Sequence, residues 1–247
     1  MTLAGRVALV TGVSRQAGIA IAVVDRLRAL GATVFATGWR PHDDEMPWGS
    51  GPALDVDFDL HEHDLTDPDG PIALIDEVIA THGALDIVAA VHARSSSTDL
   101  IHTNATELDT CWAVNVRSVV LLAQQFARVH DPARAGGRML WFTSGQALQP
   151  MPGEIAYAIT KAALHQMTAS MADTLIEHGV SANCINPGPV DTGWAPNDLH
   201  AEVRTMFPTR RWGVPNDVAN LVAFLVSDEG AWIVGQVLNS EGGFRRS

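Results

Sequence analysis

The chain has 247 residues and a formal net charge of −12, with 47% hydrophobic and 18% charged residues. That balance supplies a sizeable core and excludes disorder, collagen and coiled coil. The acidic excess argues against a nucleic-acid partner, which needs a basic footprint, and no apolar run approaches the roughly 18 residues of a membrane span. Met1 to Arg6 lead straight into a strand-like stretch without the layout of a signal peptide. Two cysteines, Cys111 and Cys184, make no disulfide framework, so a cytoplasmic location is expected.

Short apolar runs alternate with helix-period segments along the whole chain. Val7–Val10 reads as a strand, Ile19–Leu30 as a helix with Gly31 at its C-terminal cap, and Thr33–Thr37 as a second strand. A loop rich in Pro, Gly and Asp spans Pro41 to Pro52. Asp55–Leu60 alternates acidic and apolar residues, the pattern of an edge strand with one wet face. Helices are expected over Pro71–His82, Thr106–Val129, Ala156–His178 and Pro215–Leu225, and strands over Asp86–Val91, Arg138–Thr143, Val180–Asn186 and Gln236–Asn239. Strand–helix alternation without linker or repeat predicts one α/β domain over residues 1–247, a Rossmann-like, doubly wound parallel sheet of about seven strands with helices on both faces.

Between the first strand and first helix stands Thr11-Gly12-Val13-Ser14-Arg15-Gln16-Ala17-Gly18-Ile19-Ala20. Gly12 permits a tight turn, and Gly18 lets backbone approach a diphosphate at the helix N-terminus, where open N–H groups and the helix dipole favour an anion. An ordinary strand-to-helix loop can also carry two glycines; the position inside a βαβ unit favours nucleotide binding. The second strand ends Thr37-Gly38-Trp39-Arg40 with no carboxylate to meet ribose hydroxyls. Arg40, with Arg15 of the turn, favours the 2′-phosphate of NADP(H) over NAD(H), since a guanidinium fork suits phosphate. Asp64 and Leu65 follow the third strand, where they are placed either to meet an adenine or simply to begin a polar loop.

Tyr157 is the chain's one tyrosine and Lys161 its one lysine; the other fifteen basic residues are arginine. Four residues apart on a helix, they share a face. A cation held beside a phenol favours the phenolate, and a tuned phenol serves as general acid or base. Ser144 follows the Arg138–Thr143 strand at the sheet edge where open α/β folds bind ligands.

These residues resemble those of the short-chain dehydrogenase/reductase family over essentially the whole chain, most of all its 3-oxoacyl-[acyl-carrier-protein] reductase-like members. Tyr157-Ala158-Ile159-Thr160-Lys161 matches Tyr-x-x-x-Lys, Ser144 stands thirteen residues earlier, and Asn115 matches the family's helix asparagine. Asn186-Pro187-Gly188-Pro189-Val190-Asp191-Thr192 resembles the segment that packs against the nicotinamide. The resemblance implies a proton-transferring Tyr157, a Lys161 that binds the nicotinamide ribose and lowers the tyrosine's pKa, and a Ser144 that orients the substrate oxygen. It further implies an Asn115 that holds a relay water, cofactor contacts from Pro187, Gly188, Val190 and Thr192, and a substrate lid over 193–210. The implied reaction is hydride exchange between nicotinamide and a small carbonyl or secondary alcohol. A homotetramer or dimer through the two long helices is implied as well, with no metal.

Two departures stand out. Five residues separate Gly12 from Gly18, and Ala20 replaces the last glycine, a longer turn that resembles enoyl reductases; those space tyrosine and lysine farther apart. Where the family has Asn-Asn-Ala-Gly, this chain reads Ala90-Val91-His92-Ala93 before Arg94, and His92 is read as a structural replacement for the lost amides. A non-catalytic dinucleotide sensor and an enoyl reductase are the rival readings. His61-Glu62-His63-Asp64 reads as a solvated edge rather than a metal site.

Overall fold

Val7–Thr11 (β1) is an uninterrupted buried run, as a strand covered on both faces should be. In the computed structural model, which describes residues 1–134 and 136–244, the last residues of the expected domain, 245–247, lie outside the described part. After β1 follow Ile19–Ala29 (α1), Thr33–Gly38 (β2), Pro41–Glu45 (α2), Leu60–Glu62 (β3), Gly70–His82 (α3) and Ile87–Ala90 (β4). Then come Ala105–Trp112 (α4), a π-helical turn Ala113–Arg117, Ser118–Val129 (α5), Gly137–Phe142 (β5), Ile155–Glu177 (α6), Val180–Asn186 (β6), Asn197–Met206 (α7), Pro215–Val226 (α8) and Val237–Asn239 (β7).

The seven strands form one sheet in the order β3-β2-β1-β4-β5-β6-β7, and every pairing is parallel. Strand alternation sends Ala8, Val10, Ile87, Ala89, Leu140 and Phe142 to one face, packed with residues of α1 and α8. Leu9, Val88, Met139 and Trp141 go to the other, packed with residues of α3, α5 and α6. This is the expected doubly wound fold. Connections run to opposite sides from β1, so β1 and β4 open a crevice at their C-terminal ends.

Two local expectations are corrected, and two others gain detail. The alternating stretch Asp55–Leu60 is not the third strand: only Leu60–Glu62 pairs, against Ala36–Gly38. Residues before it are held instead by Gln16, whose side chain accepts from the Asp55 N–H at 3.0 Å, and by an Asp57–Arg28 ion pair. The expected loop after β2 contains α2, begun by Pro41 at its first position. The expected helix Thr106–Val129 is present as a continuous run of α4, a π turn around Asn115 and α5. The lid stretch holds a ten-residue helix, α7.

Candidate active site

The turn after β1 is shaped by close backbone contact. Gly12 has φ +83°, and a Cβ there would stand 2.7 Å from the His92 main chain at the end of β4. A Cβ on Gly38, at the end of β2, would stand 2.0 Å from the Val13 carbonyl oxygen. Only glycine lets these three segments meet at the crevice. Gly18 caps α1 in extended conformation, with no side-chain cap and no acidic residue in the first turn, so the first N–H groups of α1 are left for an anion.

Above this turn opens a cleft between the C-terminal ends of β1, β2 and β4, where open α/β sheets bind ligands. Gly12, Ser14, Arg15, Gly18, Ile19, Asp64, Leu65 and Thr192 all line it. Its glycine floor and the uncapped N–H groups at the start of α1 suit the diphosphate of a dinucleotide. Asp64 does more than face the cleft: its carboxylate accepts from the Thr66 N–H at 2.8 Å and hydroxyl at 2.7 Å, fixing the turn.

The two arginines diverge. Arg15 stands over the Trp48 ring, 5.9 Å from its centroid, and has no ion-pair partner among the described residues. Arg40 donates to the carbonyls of Ser14 (3.2 Å), Gly51 (3.0 Å) and Pro52 (3.1 Å), clipping the loop after α2 to the glycine turn.

Lys161 is buried, 2% exposed, and its ammonium donates to the Phe142 carbonyl at 2.8 Å. In return the Thr143 hydroxyl donates to the Lys161 carbonyl at 2.8 Å, lashing α6 to the end of β5. Ser144 follows directly, in extended backbone. Burial pushes the Tyr157 phenol up to about 12, against a hydrogen bond with Ser144 that lowers it and alongside the Glu154 charge that raises it. Burial also brings Lys161 down to about 8. The expected lowering of the phenol by Lys161 is therefore absent here: desolvation of the phenol prevails, and the ammonium, 5.5 Å from the Tyr157 ring centroid, is committed to Phe142.

Asn115 sits in the π turn and is 1% exposed. Its amide oxygen accepts from the Arg94 N–H at 2.6 Å, while its nitrogen donates to the Arg94 carbonyl and the Thr160 hydroxyl, each at 2.9 Å. Thr160 in turn donates to the Tyr157 carbonyl at 2.7 Å. The side chain of Asn115 thus joins the end of β4 to the helix of Tyr157.

His92 takes the structural role expected of it. Its Nε2 faces the Val114 carbonyl at 3.1 Å, which can only accept, so the proton is assigned to Nε2. Nδ1 then accepts from the Thr11 hydroxyl at 2.6 Å. Burial, with the Lys161 charge nearby, lowers the imidazole to about 3 and keeps it neutral.

Pro187 begins the segment after β6, and the Gly188 N–H donates to the Asn186 side chain at 3.1 Å. Gly188 has φ +65° beside Glu241, and buried Val190 bridges to Gly213. His61 and His63 both pair with Glu77, each at 3.0 Å, and no cluster of three or more His, Cys, Asp or Glu suited to a metal ion occurs among the described residues. Residues that pattern reading passed over include Arg94, Thr143, Thr160, His42 and Glu154. Arg94 donates to Glu45 at 3.1 Å and to His42 at 3.2 Å, tying α2 across the cleft to the β4 loop. No motif spacing marks these residues, because their partners lie on other elements.

Comparison with known proteins agrees with this geometry. Residues 12–245 match the family model described as enoyl-(acyl carrier protein) reductase. The chain is 35% identical to an uncharacterized oxidoreductase, YjdA, of Bacillus subtilis, over 98% of this chain and 97% of that protein. It is 30% identical to the 3-oxoacyl-[acyl-carrier-protein] reductase FabG of Escherichia coli, over 98% of each. A short-chain dehydrogenase from Burkholderia cenocepacia J2315, solved in complex with NADP, superposes with a TM-score of 0.84 at 33% identity, covering 98% of this chain and 99% of that one. With its seven-stranded parallel sheet and this likeness over nearly its full length, the chain belongs to the short-chain dehydrogenase/reductase family and is an oxidoreductase.

Proposed function

We propose that this enzyme transfers hydride between NADP(H) and a small carbonyl compound or secondary alcohol, with Tyr157 as general acid and base. The observation that carries the reading is the meeting of Ser144, Tyr157 and Lys161 where β5 and α6 are lashed together. The cofactor, when bound, supplies or accepts the hydride at the carbonyl carbon. Tyr157 gives its hydroxyl proton to the carbonyl oxygen during reduction and takes it back during oxidation. A phenol held near 12 keeps that proton at neutral pH, which suits reduction. The Ser144 hydroxyl orients the same oxygen, and the Lys161 ammonium binds the nicotinamide ribose.

NADP(H) is preferred in this reading because Arg15, without a carboxylate partner, lines the cleft and no acid stands at the end of β2. The B. cenocepacia relative was solved with NADP. Residues 193–210 form the substrate lid. Half-exposed Trp112 and Ile159, with Leu108 and Val120, give α4, α5 and α6 an apolar face that suits a homodimer or tetramer; light scattering that finds a monomer overturns that part.

Titration with NADPH and NADH by fluorescence, followed by a ketone panel with Tyr157→Phe as control, tests the whole. Tighter NADPH binding and Tyr157-dependent ketone reduction are expected. Double-bond reduction with inert ketones establishes an enoyl reductase instead, and binding without any turnover a sensor.

A further inference from the structure

Buried and half-buried carboxylates around this fold are paired. Asp86 receives the Arg134 guanidinium through two contacts of 2.7 Å, Glu77 is shared by His61 and His63, and Glu107 lies 3.9 Å from Arg94. Glu154 is the exception beside the reactive tyrosine. It is half-buried, and among the described residues no donor or cation meets its carboxylate. Burial pushes its carboxyl up, with no opposite charge to offset that.

Its position is fixed from both sides. The Glu154 N–H donates to the Met151 carbonyl at 3.2 Å, and the next residue, Ile155, donates to the Thr98 carbonyl at 3.0 Å. Glu154 therefore stands where the loop after β5 meets the loop after β4, immediately before α6. Tyr157 lies three residues on, one helical turn away on the same face, and the phenol senses the Glu154 charge. The nearby cations are otherwise engaged: Lys161 on Phe142, Arg94 on Glu45 and His42. A lone, partly desolvated carboxylate here is unfavourable for the protein by itself, yet it is the group that binds an ammonium well. The net charge of −12 favours approach of a cation as well.

We infer that Glu154 is a specificity-determining residue that pairs with an ammonium group of the substrate, so that the enzyme acts on amino ketones or the corresponding amino alcohols. The inference rests on the proposed Tyr157-dependent carbonyl chemistry. The carbonyl oxygen meets Tyr157 and Ser144 while the ammonium meets Glu154. Residues one turn apart have Cβ atoms about 5–6 Å from each other, so a spacer of a few carbons joins the two groups.

The test uses the full-length protein with NADPH and pairs of ketones: diethylamino methyl ketones of increasing spacer length, charged at neutral pH, each against the isostere with CH in place of nitrogen. The expected result is a preference of about ten- to hundredfold in kcat/KM for the charged member at the best spacer, the scale of one hydrogen bond to a charged group. Glu154→Gln should bring that ratio close to one, and Glu154→Asp should restore part of it. Equal use of both members by the unaltered protein, or a ratio that Glu154→Gln leaves in place, overturns the inference. If no ketone is reduced at all, the carbonyl chemistry fails, and calorimetry of the same pairs with the NADPH-loaded protein decides Glu154 separately. Binding of the charged member that weakens at least tenfold in Glu154→Gln upholds the ammonium site; equal affinities refute it.

Discussion

The amide of Asn115 closes on the main chain of Arg94 at both ends, accepting from its N–H at 2.6 Å and donating to its carbonyl at 2.9 Å. A strand end is thereby bonded to a helix it does not touch in sequence, and the π turn that carries Asn115 is where the helix widens to allow it. Asn115→Leu keeps the volume and leaves the Arg94 pair and the Thr160 hydroxyl short of partners. A loss of about 3 kcal/mol in denaturant unfolding is expected, together with reduced turnover. Unchanged stability would show that water replaces the amide.

Tyr157→Phe removes the hydroxyl and leaves the ring. Loss of general acid catalysis is expected to lower kcat for ketone reduction by about 10²–10⁴-fold. Steady-state kinetics with unchanged kcat would take the phenol out of the reaction.

The lysine predicts a pH profile. Its pKa is lowered to about 8, so the ammonium is present below that pH and lost above it. For kcat/KM of the dinucleotide, which reports groups of the enzyme before binding, a plateau below pH 8 and a decline above it are expected. Lys161→Arg, which stays charged, should remove the decline whatever its effect on the plateau. A decline of the same midpoint in that variant assigns it to another group.

His92 predicts acid sensitivity. Its folded pKa of about 3 lies below the ordinary 6.5, so the unfolded chain takes up a proton that the folded chain refuses. The stabilising contribution is full above pH 6.5 and is lost progressively down to pH 3. Between pH 6.5 and 4.5 the loss amounts to about 2–3 kcal/mol. Urea unfolding of His92→Asn should show a shallower fall over that range than the parent chain. Parallel curves would mean the imidazole is already charged in the fold.

Arg15 and Arg40 are expected to separate. Arg15→Ala should weaken NADPH at least tenfold while changing NADH little, because its guanidinium has no competing carboxylate. Arg40→Ala should loosen the loop over residues 50–52, which it holds by three carbonyls, and affect both dinucleotides together. Fluorescence titration of both variants reads the difference. A purely NADPH-selective loss in Arg40→Ala would exchange the two roles.

The parallel sheet was legible in the sequence because strands buried on both faces read as apolar runs: β1, β4 and residues 139–142 of β5 are such runs, whereas β6, equally buried, carries Ser181, Asn183 and Asn186 among its apolar residues. The glycine turn and the Tyr157–Lys161 pair were legible for a related reason: each is local, set by spacing along one loop or one helix. The third strand was misplaced because alternation records which side of a segment is wet and not which residues find a pairing partner. Tertiary structure alone decided the rest. The clamp of Asn115 on Arg94, the use of Arg40 on carbonyls, the clasp of Arg94 on α2 and the neutral state of His92 all depend on partners 12 to 81 residues away. So does the rise in the Tyr157 phenol, since burial is a property of the assembled interior. Sequence spacing states which groups share an element; only the packing of elements fixes which charges lose their water and which carboxylate is left without a partner.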